Sequence, residues 1–141
     1  MPMHVNAYLN FGGNCADAFR YYEKHLGAKL LFSMTFAEAP PGNAPPGEFD
    51  PNSVMYSRIS LGDTHIMGND IPPSRYQPMR SAYVALSADS IEEAERIYKA
   101  LADGGEIFMP IAETFFAFRF GMLRDKFGIN WMVLHPRPMQ S

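Results

Sequence analysis

The 141-residue sequence predicts an α+β fold built from two βαβββ modules. Three observations predict it. Two stretches 76 residues apart, 14–27 (NCADAFRYYEKHLG) and 90–103 (SIEEAERIYKALAD), align Ala18 with Ala94, Arg20 with Arg96 and Tyr22 with Tyr98. Each follows a short apolar run of strand formers, HVNAYLNF or SAYVALSA. Each is followed by further strand-like segments. Repetition at a fixed spacing marks duplicated supersecondary units, and helices returning to one face of largely antiparallel strands give the α+β class. The seam between two such modules is a natural place for a ligand.

In chain order, residues 4–11 form a strand that ends at the Gly12-Gly13 bend. Asn14 is the expected N-cap of the first helix, with Asp17 near the positive end of the helix dipole. Cys15, Phe19, Tyr22 and Leu26 recur at helical spacing, and Gly27 stops the helix. Residues 29–36 are the second strand. Residues 37–52 (AEAPPGNAPPGEFDPN) hold five prolines and two glycines. That composition predicts a lid, a mobile loop, a partly disordered stretch or an exposed insertion without a role. Strands at 53–60 and 64–69 flank the turn Gly62-Asp63. Residues 71–80 carry three prolines and read as a linker. The chain is thus one domain, 1–141, with module one at 1–70 and module two at 81–141.

The second module repeats the plan. A strand at 81–88 precedes Ser90 and Glu93, an S-x-x-E capping box. Ile91, Ala94, Ile97, Tyr98 and Leu101 form the apolar stripe of the second helix, and Gly104-Gly105 ends it. Strands follow at 106–111, 115–123 and 130–135, the last after the turn Phe127-Gly128.

With 15 acidic and 12 basic residues the net charge is -3, which argues against a general nucleic-acid or anionic-membrane binder. The aromatic residues lack the interleaved Lys and Arg of a base-stacking platform. No apolar run approaches the roughly 18 residues that a membrane helix needs, and the N-terminus does not read as a signal peptide. Cys15 is the only cysteine, so no intrachain disulfide can form and a cytoplasmic setting is expected. Its spacing with Phe19 and Tyr22 reads as core, although a thiolate near a helix N-terminus is the alternative. Eleven Phe, seven Tyr and ten Met supply adaptable apolar walls. The chain has no G-x-G-x-x-G, G-x-S-x-G, C-x-x-C or H-x-H motif.

The motifs Tyr8-Leu9-Asn10-Phe11 with Gly13-Asn14, Ala18 to Tyr22 (AFRYY), and Phe118 to Asp125 (FRFGMLRD) with Phe127-Gly128 and Trp131 carry a resemblance. The chain resembles the vicinal oxygen chelate superfamily, the glyoxalase/bleomycin-resistance/dihydroxybiphenyl dioxygenase fold, and within it the PhnB-like branch. The resemblance implies two modules whose strands curl into a half-open barrel around a central cavity, and frequent homodimers. Metal-using members place His or Gln, Glu, His and Glu at four strand positions. Carried over strand by strand, these fall on Asn6, Met67 (with Asn69 as the alternative), Tyr83 and Met132. Thioethers, an amide and a neutral phenol are poor ligands for a hard divalent cation.

The expected function is therefore metal-independent binding of a small molecule, with no cofactor. The expected cavity lining is Asn6, Tyr8, Met67, Tyr83, Arg119 and Met132, with Phe36 and Met55 as further candidates. Arg119 interrupts the apolar run FFAFRFGM. Facing inward, its fork can pair a ligand carboxylate or phosphate; facing outward, it is a surface residue or a partner of Glu113. The alternative is an enzyme. It would be a metal-dependent lyase, isomerase or dioxygenase with a displaced His4/His65 site, or one using Tyr83 as an acid or base beside Arg119. A third reading is a dimer with a filled cavity and an interaction role only. His25 and His135 read as structural or surface residues.

Overall fold

The computed structural model describes residues 3–40 and 49–138. The chain divides into two compact units, Met1–Gln77 and Pro78–Ser141.

In the first unit, β1 (Ala7–Phe11) leads into helix α1 (Cys15–Leu26) and β2 (Lys29–Thr35). A single 3-10 turn (Phe36–Glu38) follows, then the hairpin β3 (Val54–Leu61) and β4 (Thr64–Asp70). The strand order is β1-β4-β3-β2, with β1 parallel to β4 and the other pairs antiparallel. The sheet is therefore mixed rather than antiparallel throughout. Leu9, Phe11, Ile59 and Ile66 are buried on the face that packs α1. There the Phe11 and Phe19 rings meet edge to face at 5.8 Å. Gly68 lies beneath Phe19, and a Cβ at that position would stand 2.8 Å from the ring. The helix can approach so closely only because β4 carries no side chain there.

The expected Asn14 cap is not made: its side chain accepts no bond from the helix, and its Oδ1 is buried without a partner. A carboxylate from the far end of β4 caps the helix instead. Asp70 Oδ1 accepts from the backbone N–H of Gly13 (3.1 Å) and Cys15 (2.9 Å), while Oδ2 accepts from Val54 N–H (2.9 Å). An ionised acceptor at a helix N-terminus satisfies orphan donors and meets the positive dipole end, so Asp70 displaces the weaker amide. Residues 41–48, the middle of the Pro-rich loop at 37–52, lie outside the described residues.

The second unit repeats the order: β5 (Val84–Ser87), α2 (Ile91–Ala102), β6 (Glu106–Ala112), β7 (Ala117–Arg124) and β8 (Asn130–Pro136). Its sheet runs β5-β8-β7-β6, with β5 parallel to β8. The α2 stripe buries Ala94, Ile97, Tyr98 and Leu101, and each large apolar side chain so buried is worth about 1.5–3 kcal/mol. Ser90 caps α2 by accepting from Glu93 N–H, but the reciprocal half of the expected box is replaced by an ion pair between Glu93 and Arg96. Tyr98 lies over Gly121, where a Cβ would come within 2.7 Å of its ring. Asp125 ties the β7–β8 turn together. It accepts from Phe127 N–H (2.9 Å), Ile129 N–H (3.0 Å) and the indole N–H of Trp131 (2.8 Å).

Three strands begin two or three residues later than expected: β1 at Ala7, β5 at Val84 and β7 at Ala117. Phe115 and Phe116 precede β7, and Phe115 is 93% exposed.

Candidate functional site

Each sheet has one face under its helix and one open face, and period-two alternation fixes which residues take which. On the first sheet, register carries one row across all four strands. Tyr8 pairs with Met67, Met67 with Arg58, and Arg58 with Phe32. Their neighbours Leu9, Gly68 and Ile59 are buried on the α1 side, so this row faces away from the helix. Tyr8 is 48% and Phe32 45% exposed.

Arg58 organises the row. Its Nε donates to Tyr56 Oη at 3.1 Å and its Nη2 to Met67 Sδ at 3.2 Å, while Nη1 stands 3.4 Å from His65 Nδ1. Tyr56 Oη and Met67 Sδ are neutral acceptors, and His65 Nδ1 accepts in the tautomer that leaves that nitrogen unprotonated. Among the described residues the ion-paired arginines are Arg20, Arg96, Arg119 and Arg137, so Arg58 has no carboxylate partner there. The Tyr56 ring stands between Tyr8 (6.4 Å) and Phe32 (5.8 Å). Burial holds the Tyr8 phenol above its ordinary value, with lesser contributions from Tyr56 and Cys15, so Tyr8 acts as a neutral hydrogen-bonding group.

The expected lining residues separate by unit. In the first, Tyr8 and Met67 are direct cross-strand neighbours on the open face. Asn6 and His4 precede β1 and are exposed, and Met55 sits near the start of β3. Phe36 is buried, its ring 4.4 Å from that of Phe49, so its own loop occupies it. In the second unit Met132 pairs with Ala85 and Met122 on the open face. Tyr83 precedes β5, meets Phe108 edge to face at 6.4 Å and is 37% exposed. Arg119 is a correction. It shares its face with Gly121 and Leu123, which pack α2, and its Nε is 3.7 Å from Glu95 Oε2 on that helix. It therefore points away from the face that bears Met132. Glu113 pairs with Arg137 rather than with Arg119. His135 lies on the α2 side too, its Nδ1 2.8 Å from Ala88 O. Cys15 is fully buried, and burial first, then the Asp70 charge, pushes its thiol far up, so it is core and not a nucleophile.

A cavity of about 310 Å³ in the first unit lies elsewhere, between Gly12-Gly13, Asn52-Ser53 and Ile71-Pro72. The Asp70 carboxylate already fills its helix terminus.

The fold's metal can be tested against these residues. Met67, which the resemblance puts in a ligand position, has its sulfur 3.2 Å from a guanidinium nitrogen, and His65 Nδ1 is 3.4 Å from the same guanidinium, while the alternative, Asn69, offers only a neutral amide whose Oδ1 is buried without a partner. A fixed positive charge there repels a divalent ion, and the donors themselves are soft or neutral. Among the described residues no three His, Cys, Asp or Glu side chains gather as a metal would require. The residues do not fit the metal.

Sequence reasoning missed Arg58. The signal was present, since the two-residue turn at Gly62-Asp63 sets Leu61 against Thr64 and so Arg58 against Met67.

The chain is 36% identical over 138 residues to Protein YjdN of Escherichia coli (strain K12), covering 93% of this chain and 94% of that protein. Protein PA1353 from Pseudomonas aeruginosa is 36% identical and superposes with a TM-score of 0.86, covering 97% of this chain and all (100%) of that one. A PhnB protein from Bacillus cereus shares the fold at 20% identity, with a TM-score of 0.78 over 94% of this chain and 99% of that one. Among the described residues no helix is long and apolar enough to cross a membrane. The sequence profile of the Glyoxalase/Bleomycin resistance protein/Dioxygenase superfamily matches residues 4–133, and with two four-stranded mixed sheets each backed by one helix the chain belongs to that superfamily.

Proposed function

We propose that this chain is a metal-independent small-molecule-binding protein of the PhnB-like branch. In this reading it is a single domain, residues 1–141, with a linker at 71–80, and works as a cytoplasmic homodimer. The observation that carries the reading is Arg58. A guanidinium hydrogen-bonded to Met67 Sδ and set beside His65 Nδ1 occupies the ground a cation would need. The same contact weighs against the enzyme reading with a displaced His4/His65 metal. Around it, Tyr8, Tyr56, Phe32 and Met67 combine directional hydrogen bonding with deformable apolar surface, the usual make-up of a small-molecule site. In the second unit Tyr83 and Met132 are the candidate lining residues, Met132 on the open face of its own sheet. Exposed apolar side chains on the edge strands, Leu30 and Leu31 on β2 and Ile107 and Met109 on β6, support the homodimer.

Elemental analysis of protein purified without chelator tests the reading. The expected result is far less than one Zn, Mn, Fe or Ni per chain. A stoichiometric ion whose removal abolishes ligand binding overturns it. Sedimentation velocity tests the dimer.

A further inference from the structure

We infer that the open face of the first sheet takes a small organic carboxylate with a flat apolar body, its carboxyl group held by Arg58. The inference deepens the proposed function and rests on it.

A guanidinium has five N–H donors. Three of those of Arg58 point at Tyr56 Oη, His65 Nδ1 and Met67 Sδ, one each from Nε, Nη1 and Nη2. One N–H remains on each terminal nitrogen. That pair matches the two oxygens of a carboxylate, the arrangement in which arginine binds most strongly. Tyr56 Oη already accepts from Nε, so its own O–H is left to donate. Three donors are thus left at or beside a guanidinium that has no carboxylate partner among the described residues. The three contacts also restrain the side chain, which lowers the entropy cost of gripping a ligand.

The surroundings specify the rest of the molecule. Phe32, Tyr56 and Tyr8 follow one another at ring distances of 5.8 and 6.4 Å, and Met67 lies between Arg58 and Tyr8 in the row. A planar apolar body can lie on these rings while its carboxyl group reaches the guanidinium. A strongly hydrated inorganic anion would gain nothing from the rings. A partly buried cation without a counter-charge lacks its compensation until an anion arrives, and that complementarity selects the occupant.

The test uses the full chain labelled with 13C-methyl methionine, in buffer containing EDTA, titrated with benzoate and with its neutral isostere benzamide. Benzoate is expected to shift the Met67 methyl resonance and to bind at least about tenfold more tightly than benzamide. Arg58→Met should erase that preference, lowering benzoate affinity at least about tenfold. Arg58→Lys, which keeps the charge but loses the fork, should fall between. Should Arg58→Met fail to fold, Arg58→Gln and the wild-type preference decide. Equal binding of the two probes in EDTA overturns the inference and leaves the metal-independent reading standing. Benzoate affinity that survives loss of Arg58, or no benzoate binding at all, also overturns it. Benzoate binding that depends on Arg58 but appears only when Mn2+ or Zn2+ replaces EDTA supports the inference and removes the metal-independent reading.

Discussion

The two sheets share strand order and pairing sense, yet their open faces carry different chemistry. Across the first sheet the central row reads Tyr8, Met67, Arg58, Phe32. Across the second, the row at the same place reads Ala85, Met132, Met122, Met109. Met122 stands where Arg58 does. The second sheet has an arginine two residues along, Arg124, but it is tied to its own neighbours. Nε donates to Asn130 Oδ1 at 2.9 Å and Nη2 to Met79 O at 3.0 Å, and the guanidinium lies over the Phe108 ring at 5.4 Å. One duplicated scaffold thus holds a directional polar grip in one half and a flexible apolar wall in the other. The difference between the halves lies in a few side chains grafted on a repeated frame.

If the frame is shared, its ties should be equally costly to cut. Asp70 and Asp125 are the strongest of these, each a buried carboxylate accepting from three N–H groups. Asp70→Ala and Asp125→Ala should each cost about 3–5 kcal/mol, since loss of the acceptor strands several buried donors. Urea denaturation followed by circular dichroism measures both. A near-neutral result for either would end the claim that the halves are braced alike.

The next effect is smaller. Gly68→Ala and Gly121→Ala each set a methyl against an aromatic ring of the covering helix, 2.8 Å from Phe19 and 2.7 Å from Tyr98. At Gly121 the Ile111 backbone is also close, at 2.9 Å from the added carbon, so that variant should be the worse of the two. Losses of about 1–3 kcal/mol are expected, read as a lower urea midpoint at unchanged slope.

Arg58 and Met122 then separate the two faces. Arg58→Met replaces an uncompensated, partly buried charge with an apolar side chain that fits beside Phe32 and Met67. It should raise stability by about 0.5–1 kcal/mol, the expectation for a residue the proposed site needs and the fold does not. Met122→Arg should lower stability by about 1 kcal/mol or more, because Met109 and Met132 offer the new charge only thioethers. If Arg58→Met instead loses more than about 1 kcal/mol, Arg58 is a structural brace and the contrast between the faces is wrong.

The same residues show how far the sequence could be read. Helix extents followed from apolar spacing and from Gly27 and Ser90, because those signals are local. The Asp70 cap was hidden, since the carboxylate that binds Cys15 N–H lies 55 residues away, and no local pattern announces a partner at that distance. Alternation divided β7 into two faces without saying which one the helix covers. Gly121 held the answer, because a glycine inside an apolar strand marks close approach by another element, and Arg119 shares its parity. Arg58 was reachable through the hairpin register, but what singles it out is the lack of an acidic partner among the described residues, which only three-dimensional neighbours reveal.

The smallest test concerns the acid at the third position of a first turn in each unit. Glu38 completes a reciprocal box, its Oε1 accepting from Thr35 N–H (2.9 Å) and Thr35 Oγ (3.0 Å). Glu93 turns instead to Arg96. Both carboxyls are held below the usual range, Glu38 chiefly by the Thr35 backbone bond and Glu93 chiefly by the Arg96 side-chain bond. A folded pKa below the unfolded value of about 4.3 contributes stability above that pH, and the contribution is lost as pH falls through the lowered folded value. Glu38→Gln and Glu93→Gln should each flatten the acid limb of melting temperature against pH. Both groups are exposed, so the changes should be small. Salt should tell them apart. The Glu93 contribution is an ion pair and should fade as ionic strength rises, whereas the Glu38 contribution runs through a backbone N–H and should persist. Equal salt sensitivity would mean that an ordinary surface charge, rather than the box, sets the behaviour of Glu38.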